Sequence, residues 1–158
     1  MTQRSTYDRA LDLLAFRARS VEELRRKLVQ KGEDAGEIAR VIDRLRDQNL
    51  LDDADFARQF ARTRFLAASA SRFRIVQELG RKGVARAIAE QAVGDVQEAD
   101  GVDPAVAIQR VAEKKWRLLA KLDAFTRRRR LYAFLARRGF NPDEIKSVMN
   151  TLGEEIES

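Results

Sequence analysis

The segments LVQKG (28–32), LGRKG (79–83) and LARRG (135–139) each run from a leucine to a glycine, with Lys or Arg directly before the glycine. An aliphatic residue stands four positions before each leucine, which places both on one face of a helix. A terminal glycine adopts the left-handed conformation at little steric cost, and a cation beside it favours the negative end of the helix dipole. Each segment therefore predicts a helix that ends in a tight turn.

A further helix is predicted on either side of each segment. An isoleucine follows each glycine by five or six residues (Ile38, Ile88 and Ile145), with more apolar residues at helical spacing after it. An apolar leading helix precedes each segment, marked in the middle of the chain by Phe56 and Phe60. The repeated phrase is thus the central element of a three-helix unit, and the three isoleucines are expected to occupy equivalent core positions.

Capping signals indicate where these helices begin. Ser20 with Glu23 forms a capping box, and Ser71 stands at the equivalent position of the second segment. Arg127 occupies that position in the third segment, so the helix start there is expected to be shifted or differently capped. Asn141 and the proline after it indicate the start of the last helix.

The predicted fold is all-α, an elongated and curved array of three tandem three-helix repeats. We place the repeats at 1–51, 52–102 and 103–152, with a frayed acidic tail at 153–158. A unit of this size buries its apolar face poorly alone, so neighbouring units are expected to share a core.

Two missing residue types restrict the chemistry. The chain has no His and no Cys, which excludes imidazole and thiolate catalysis and the usual zinc sites. The acidic cluster Asp52, Asp53 and Asp55 is explained by a helix N-cap and first turn, without a metal ion. Carboxylate or lysine catalysis stays formally open, but no motif indicates it. We therefore expect that the protein is not an enzyme and binds no cofactor and no metal ion. No apolar run approaches the roughly 20 residues that span a membrane. These features predict a cytoplasmic protein.

The net charge of +6 and a pI near 10 indicate a polyanionic or acidic partner. The alternative is that the cations only keep helix faces solvated.

Five stretches resemble one family when they are taken in order: RSVEELRRKLVQKG (19–32), LLDDADFARQFARTRF (50–65), SRFRIVQELGRKGV (71–84), RRRRLYAFLARRGF (127–140) and DEIKSVM (143–149). Together they resemble the RecX family, whose members are bacterial regulators of the RecA recombinase, over about residues 7–152. The resemblance implies a non-catalytic protein that binds RecA, chiefly its DNA filament, and inhibits ATP hydrolysis and strand exchange. It thereby implies modulation of recombination, DNA repair and the SOS response.

The cations of the three segments and their helices are the candidate contact residues for RecA or for DNA phosphates. They are Lys31, Arg72, Arg74, Arg81, Lys82, Arg86, Arg127, Arg128, Arg130, Arg137 and Arg138. We expect Arg72 and Lys82 to be exposed, DNA binding to be weak and sequence-independent, and the protein to be a monomer without a small-molecule substrate.

The alternative function is a direct DNA-binding regulator of the helix-turn-helix type. A sequence-specific reader needs a recognition helix with base-reading side chains. The last helices of the first and third units, IARVIDRL and IKSVMNTL, are mainly apolar with few such residues, which disfavours this alternative.

Overall fold

The computed structural model describes residues 3–67 and 70–154 of the chain. Its secondary structure in these ranges is nine α-helices without a strand, which confirms the predicted all-α repeat fold. The helices are α1 (Thr6–Phe16), α2 (Val21–Gln30), α3 (Ala35–Asp47), α4 (Asp53–Leu66), α5 (Arg72–Arg81), α6 (Arg86–Ala99), α7 (Pro104–Leu118), α8 (Ala124–Arg137) and α9 (Pro142–Glu154). Helix α9 includes the first two residues of the predicted tail, and 155–158 lie outside the described residues.

Three successive helices form each unit: α1–α3 is unit 1, α4–α6 is unit 2 and α7–α9 is unit 3. The leucine that begins each repeated segment is completely buried, as is the aliphatic residue four positions before it. This confirms the predicted apolar face of the central helices α2, α5 and α8. These six side chains are Leu24, Leu28, Ile75, Leu79, Leu131 and Leu135.

The expectation of a core shared between units is wrong. The buried apolar residues form three separate clusters, and each cluster draws its buried residues from one unit. The physical reason is that three amphipathic helices already enclose one another's apolar faces. Contacts between units are left to the helix ends.

Capping places most helix starts where the sequence predicts them. The Ser20 hydroxyl accepts the Glu23 N–H, and the Glu23 carboxylate accepts the Ser20 N–H, so the capping box is present. The Ser71 hydroxyl caps α5 by accepting the Arg74 N–H. Asp123 caps α8, which therefore starts one turn earlier than α2 and α5 and confirms the predicted shift.

The second unit departs from the predicted core at Ile88. This side chain is 37% exposed, whereas Ala89 beside it is fully buried. Ile38 and Ile145, which stand six residues after their glycines, are buried as predicted. The sixth residue after the glycine is therefore the core residue in all three units. In unit 2 this residue is the small Ala89 rather than an isoleucine.

The glycine turns join consecutive units. Gly83 has φ +82°, and a β-carbon there would lie 2.6 Å from Glu22 Cγ and closer still to Glu22 Cβ. The Ser20 hydroxyl donates a hydrogen bond to the Lys82 carbonyl. The end of α5 thus sits on the start of α2, and we call the contact of Lys82 and Gly83 with Ser20–Glu23 the first joint.

The same arrangement recurs between units 2 and 3. Gly139 has φ +89°, and a β-carbon there would lie 2.7 Å from Arg74 Cβ and 2.8 Å from Ser71 Oγ. The Ser71 N–H donates to the Arg138 carbonyl at 3.3 Å. We call this contact of Arg138 and Gly139 with Ser71 and Arg74 the second joint. Both joints set the carbonyl end of one central helix on the N–H end of another, which suits the dipoles of both helices.

Candidate partner-binding surface

The candidate cations divide into three groups by their surroundings, and the first group is held by other side chains. Arg74 Nε lies 3.4 Å from Glu78 Oε1, and Arg86 Nε lies 2.8 Å from Glu90 Oε1. Arg127 stacks 3.7 Å above the ring of Trp116 and donates to its carbonyl at 2.6 Å. These contacts fix the guanidinium groups and reduce their availability to a partner.

The second group lies at the joints. Lys82 is only 32% exposed, with its ammonium 3.8 Å from Glu23 Oε2 and 5.5 Å from the ring centre of Phe60. The prediction that Lys82 is exposed is therefore wrong, because Glu23 of unit 1 and Phe60 of its own unit partly cover it. Arg138 is half-buried at the second joint, 4.6 Å above the ring of Phe134.

The third group consists of exposed cations that form no ion pair with any carboxylate of the described residues. Its members are Lys31, Arg72, Arg81, Arg128, Arg130 and Arg137. The expected exposure of Arg72 is confirmed. Its guanidinium contacts neutral groups, the Gln97 side-chain oxygen at 3.1 Å and the Glu90 carbonyl at 3.4 Å. This group carries positive charge that no ion pair among the described residues neutralises.

The first joint also shapes the ionisation of Glu23. Burial would raise the pKa of this carboxyl, but hydrogen bonds from Arg17 and from the Ser20 N–H, with the charge of Lys82, outweigh burial and lower it. Glu23 is consequently ionised at neutral pH and acts as the acidic partner of Lys82 across the joint.

A groove beside the second joint is a surface that the sequence analysis missed. It has a volume of about 990 Å³ and is bordered by α5, the start of α6 and the start of α9. Among its lining residues, we call Phe73, Val76 and Gly80 of α5 the floor, and the charged residues Arg72, Arg86, Glu90 and Glu144 the rim. Phe73 is 59% exposed, a signal visible in the sequence as an aromatic residue off the apolar face of its helix.

Large apolar residues are also exposed at the ends of the leading helices, and the sequence analysis missed them as well. Phe16, Leu66 and Leu118 are the last residues of α1, α4 and α7, and 83%, 82% and 74% of their surfaces are exposed. The repeat therefore presents the same kind of side chain at the same place three times.

Two kinds of site are not found among the residues that the structure describes. None of the described helices has the length and apolar character needed to cross a bilayer. In the same ranges, no group of three acidic residues is arranged to hold a metal ion.

Comparison with known proteins gives matches along most of the chain. Three family models match in order: the first three-helix domain of RecX at 7–45, the second at 52–93 and the third at 105–149. The repeat limits at 51 and 102 stay predictions at the level of single residues.

Curated relatives and solved structures give the same result. Regulatory protein RecX of Pelodictyon phaeoclathratiforme is 37% identical over 143 residues, which cover 90% of this chain and 86% of the relative. That of Prosthecochloris aestuarii is 35% identical and covers 94% of both chains. The crystal structure of RecX from Lactobacillus salivarius shares the fold, with a TM-score of 0.79, 23% identity and 94% of both chains covered. With all three repeats matched in order, the chain belongs to the RecX family of regulatory proteins.

Proposed function

We propose that this protein binds the RecA recombinase, chiefly its filament on DNA, and lowers ATP hydrolysis and strand exchange by RecA. Through this inhibition it modulates homologous recombination, DNA repair and the SOS response in the cytoplasm. It acts as a monomer, without a cofactor and without catalysis of its own. The observation that carries the proposal is the match to relatives named regulatory protein RecX over nearly the whole chain.

The exposed cations support a polyanionic or acidic partner. Arg72 and Arg81 of unit 2 and Arg128 and Arg130 of unit 3 lie on or beside the central helices, without an ion pair to a described carboxylate. A nucleoprotein filament offers both DNA phosphates and acidic side chains to such groups. The paired and joint cations, in contrast, already have partners within the fold.

The direct test is the single-stranded-DNA-dependent ATPase of RecA, titrated with this protein. We expect hydrolysis to fall at one protein per RecA or fewer, and the protein alone to hydrolyse no ATP. RecA turnover that stays unchanged in the presence of a large excess of folded protein would contradict the proposal.

The same ATPase assay, with the DNA concentration varied, distinguishes inhibition through RecA from competition for DNA. Raising the DNA concentration at fixed protein relieves competition but does not relieve binding to the filament. A binding preference for one duplex sequence in the absence of RecA would instead support a helix-turn-helix regulator.

A further inference from the structure

Gly80 is a helix residue that the fold itself does not require to be glycine. A β-carbon there would meet nothing within 4 Å, and the backbone is not in the left-handed conformation that favours glycine. The equivalent positions of LVQKG and LARRG hold Val29 and Ala136, both exposed. Glycine within a helix is less favourable than alanine, so neither the backbone angle nor the packing of the fold accounts for Gly80.

The position of Gly80 in the groove suggests a role in contact with a partner. Gly80 lies on the floor of the groove beside the second joint, on one stripe of α5 with Phe73, Val76 and Gln77. These positions recur at helical spacing and face the groove together. The stripe combines an exposed aromatic ring, an aliphatic side chain and a point where the α5 backbone is uncovered.

Such a stripe suits an α-helix as the occupant. Helices pack by laying side-chain ridges into grooves at interaxial distances of roughly 8–10 Å, and a glycine permits the closest approach of two backbones. The occupant's apolar side chains would contact Phe73 and Val76, and its small side chain would lie over Gly80. This is the helix-in-groove mode of recognition.

The charged residues at the rim of the groove indicate which charged group the bound helix would carry. The guanidinium of Arg72 contacts only neutral groups among the described residues, whereas Arg86 is paired with Glu90. The other rim carboxylate, that of Glu144, accepts the Asn141 N–H at 2.9 Å. Arg72 is thus the rim cation whose charge no carboxylate of the described residues neutralises by an ion pair.

We propose that the groove over Phe73, Val76 and Gly80 binds an amphipathic helix of the recombinase that carries an acidic residue for Arg72. The inference rests on the proposed function and deepens it, since it assigns one part of the partner to one surface of this chain. The apolar floor favours a protein helix over DNA, whose bases could otherwise stack on Phe73.

The first test adds a side chain to the floor. Gly80→Gln places a helix-favouring polar side chain in open space, so the free protein should fold with an unchanged or higher urea midpoint. Its affinity for RecA filaments on single-stranded DNA, measured by anisotropy of the labelled protein, should fall at least about tenfold. Ala136→Gln is the matched control, because it changes the same repeat position outside the groove and should bind like the parent.

The second test identifies the occupant. The chain has no cysteine, so Gly80→Cys gives one attachment site for a photoreactive benzophenone. Crosslinking in the RecA–DNA filament should label a single helical segment of RecA, and Ala136→Cys should not label that segment.

Each other outcome overturns the inference in a recognisable way. If Gly80→Gln binds filaments like the parent, the groove is not a contact surface, although the proposed function stands. Crosslinks to DNA, or an equal loss of affinity for naked single-stranded DNA in Gly80→Gln, would assign the groove to nucleic acid. If the parent protein does not bind RecA at all, both proposals fall.

Discussion

At the scale of single residues, one sequence phrase has two structural roles. Gly32, Gly83 and Gly139 all have positive φ angles, from +81° to +89°, so all three end their helices in the same conformation. Only Gly83 and Gly139 also lack room for a β-carbon, because a neighbouring unit packs against them. At Gly32, nothing lies within 4 Å of the position that a β-carbon would take. All three turns favour glycine because of the positive φ angle. At the two joints, glycine is also required because a β-carbon would collide with the neighbouring unit.

This difference gives a matched pair of variants. Gly32→Ala should destabilise the protein by about 1–2 kcal/mol, the cost of a left-handed conformation for an L-residue. Gly83→Ala bears the same cost and also collides with Glu22, so its free energy of unfolding should be lower than that of Gly32→Ala. Urea denaturation of both variants measures the difference. Equal losses would show that the first joint adjusts without cost.

At the scale of helices and units, apolar burial and unit-to-unit contact are separate. Each unit has its own core, while the joints consist of helix ends, hydrogen bonds and the Lys82–Glu23 pair. Burial of apolar area is the larger stabilising term, and a partly exposed ion pair contributes about 1 kcal/mol or less. The units are therefore expected to open independently of one another.

Leu79→Ala tests this independence. Leu79 is completely buried in the core of unit 2, so its truncation should cost about 2–5 kcal/mol. Amide hydrogen exchange should accelerate chiefly in α4, α5 and α6, because local opening follows the separate cores. An equal acceleration in the helices of units 1 and 3 would mean that the joints make the array one cooperative unit.

At the scale of the whole molecule, the surface charge distinguishes cations that serve the fold from cations left for a partner. Arg40 is 74% exposed and is paired with Glu37 at 3.0 Å. Arg81 is exposed, and its side chain has no ion pair with a described carboxylate. The two residues carry the same charge, but only Arg81 belongs to the group of exposed cations without an ion pair.

We therefore expect reversal of these two charges to differ in effect. Single-stranded DNA binding should weaken with salt, with a log–log slope of about −0.7 for each phosphate contacted, so three or four contacts give roughly −2 to −3. Arg81→Glu should reduce the magnitude of this slope by about 0.7 or more, whereas Arg40→Glu, which changes the net charge equally, should leave it nearly unchanged. Identical slopes for both variants would mean that only the net charge matters.

Helix caps depend on local sequence, whereas the choice of core residue depends on the packed unit. Ser20 and Ser71 are helix caps that depend on residues within three or four positions, and both were predictable. A changed start of α8 was predicted as well, but its cap Asp123 was not named from the sequence. The core position six residues after Gly83 was not, because the aliphatic pattern favours Ile88 over Ala89. A small buried residue carries too weak a hydrophobic signal to be distinguished by periodicity alone.

The sequence by itself determined the helices, their caps, the left-handed glycine turns and the repeat, since each depends on neighbours along the chain. Only the tertiary structure decided that the cores are separate and that Lys82 lies in a joint with Ser20 and Glu23 of another unit. It also decided that Gly80 lies on the floor of a groove. The physical reason is that burial and ion pairing depend on residues brought together from distant positions, which no local spacing encodes.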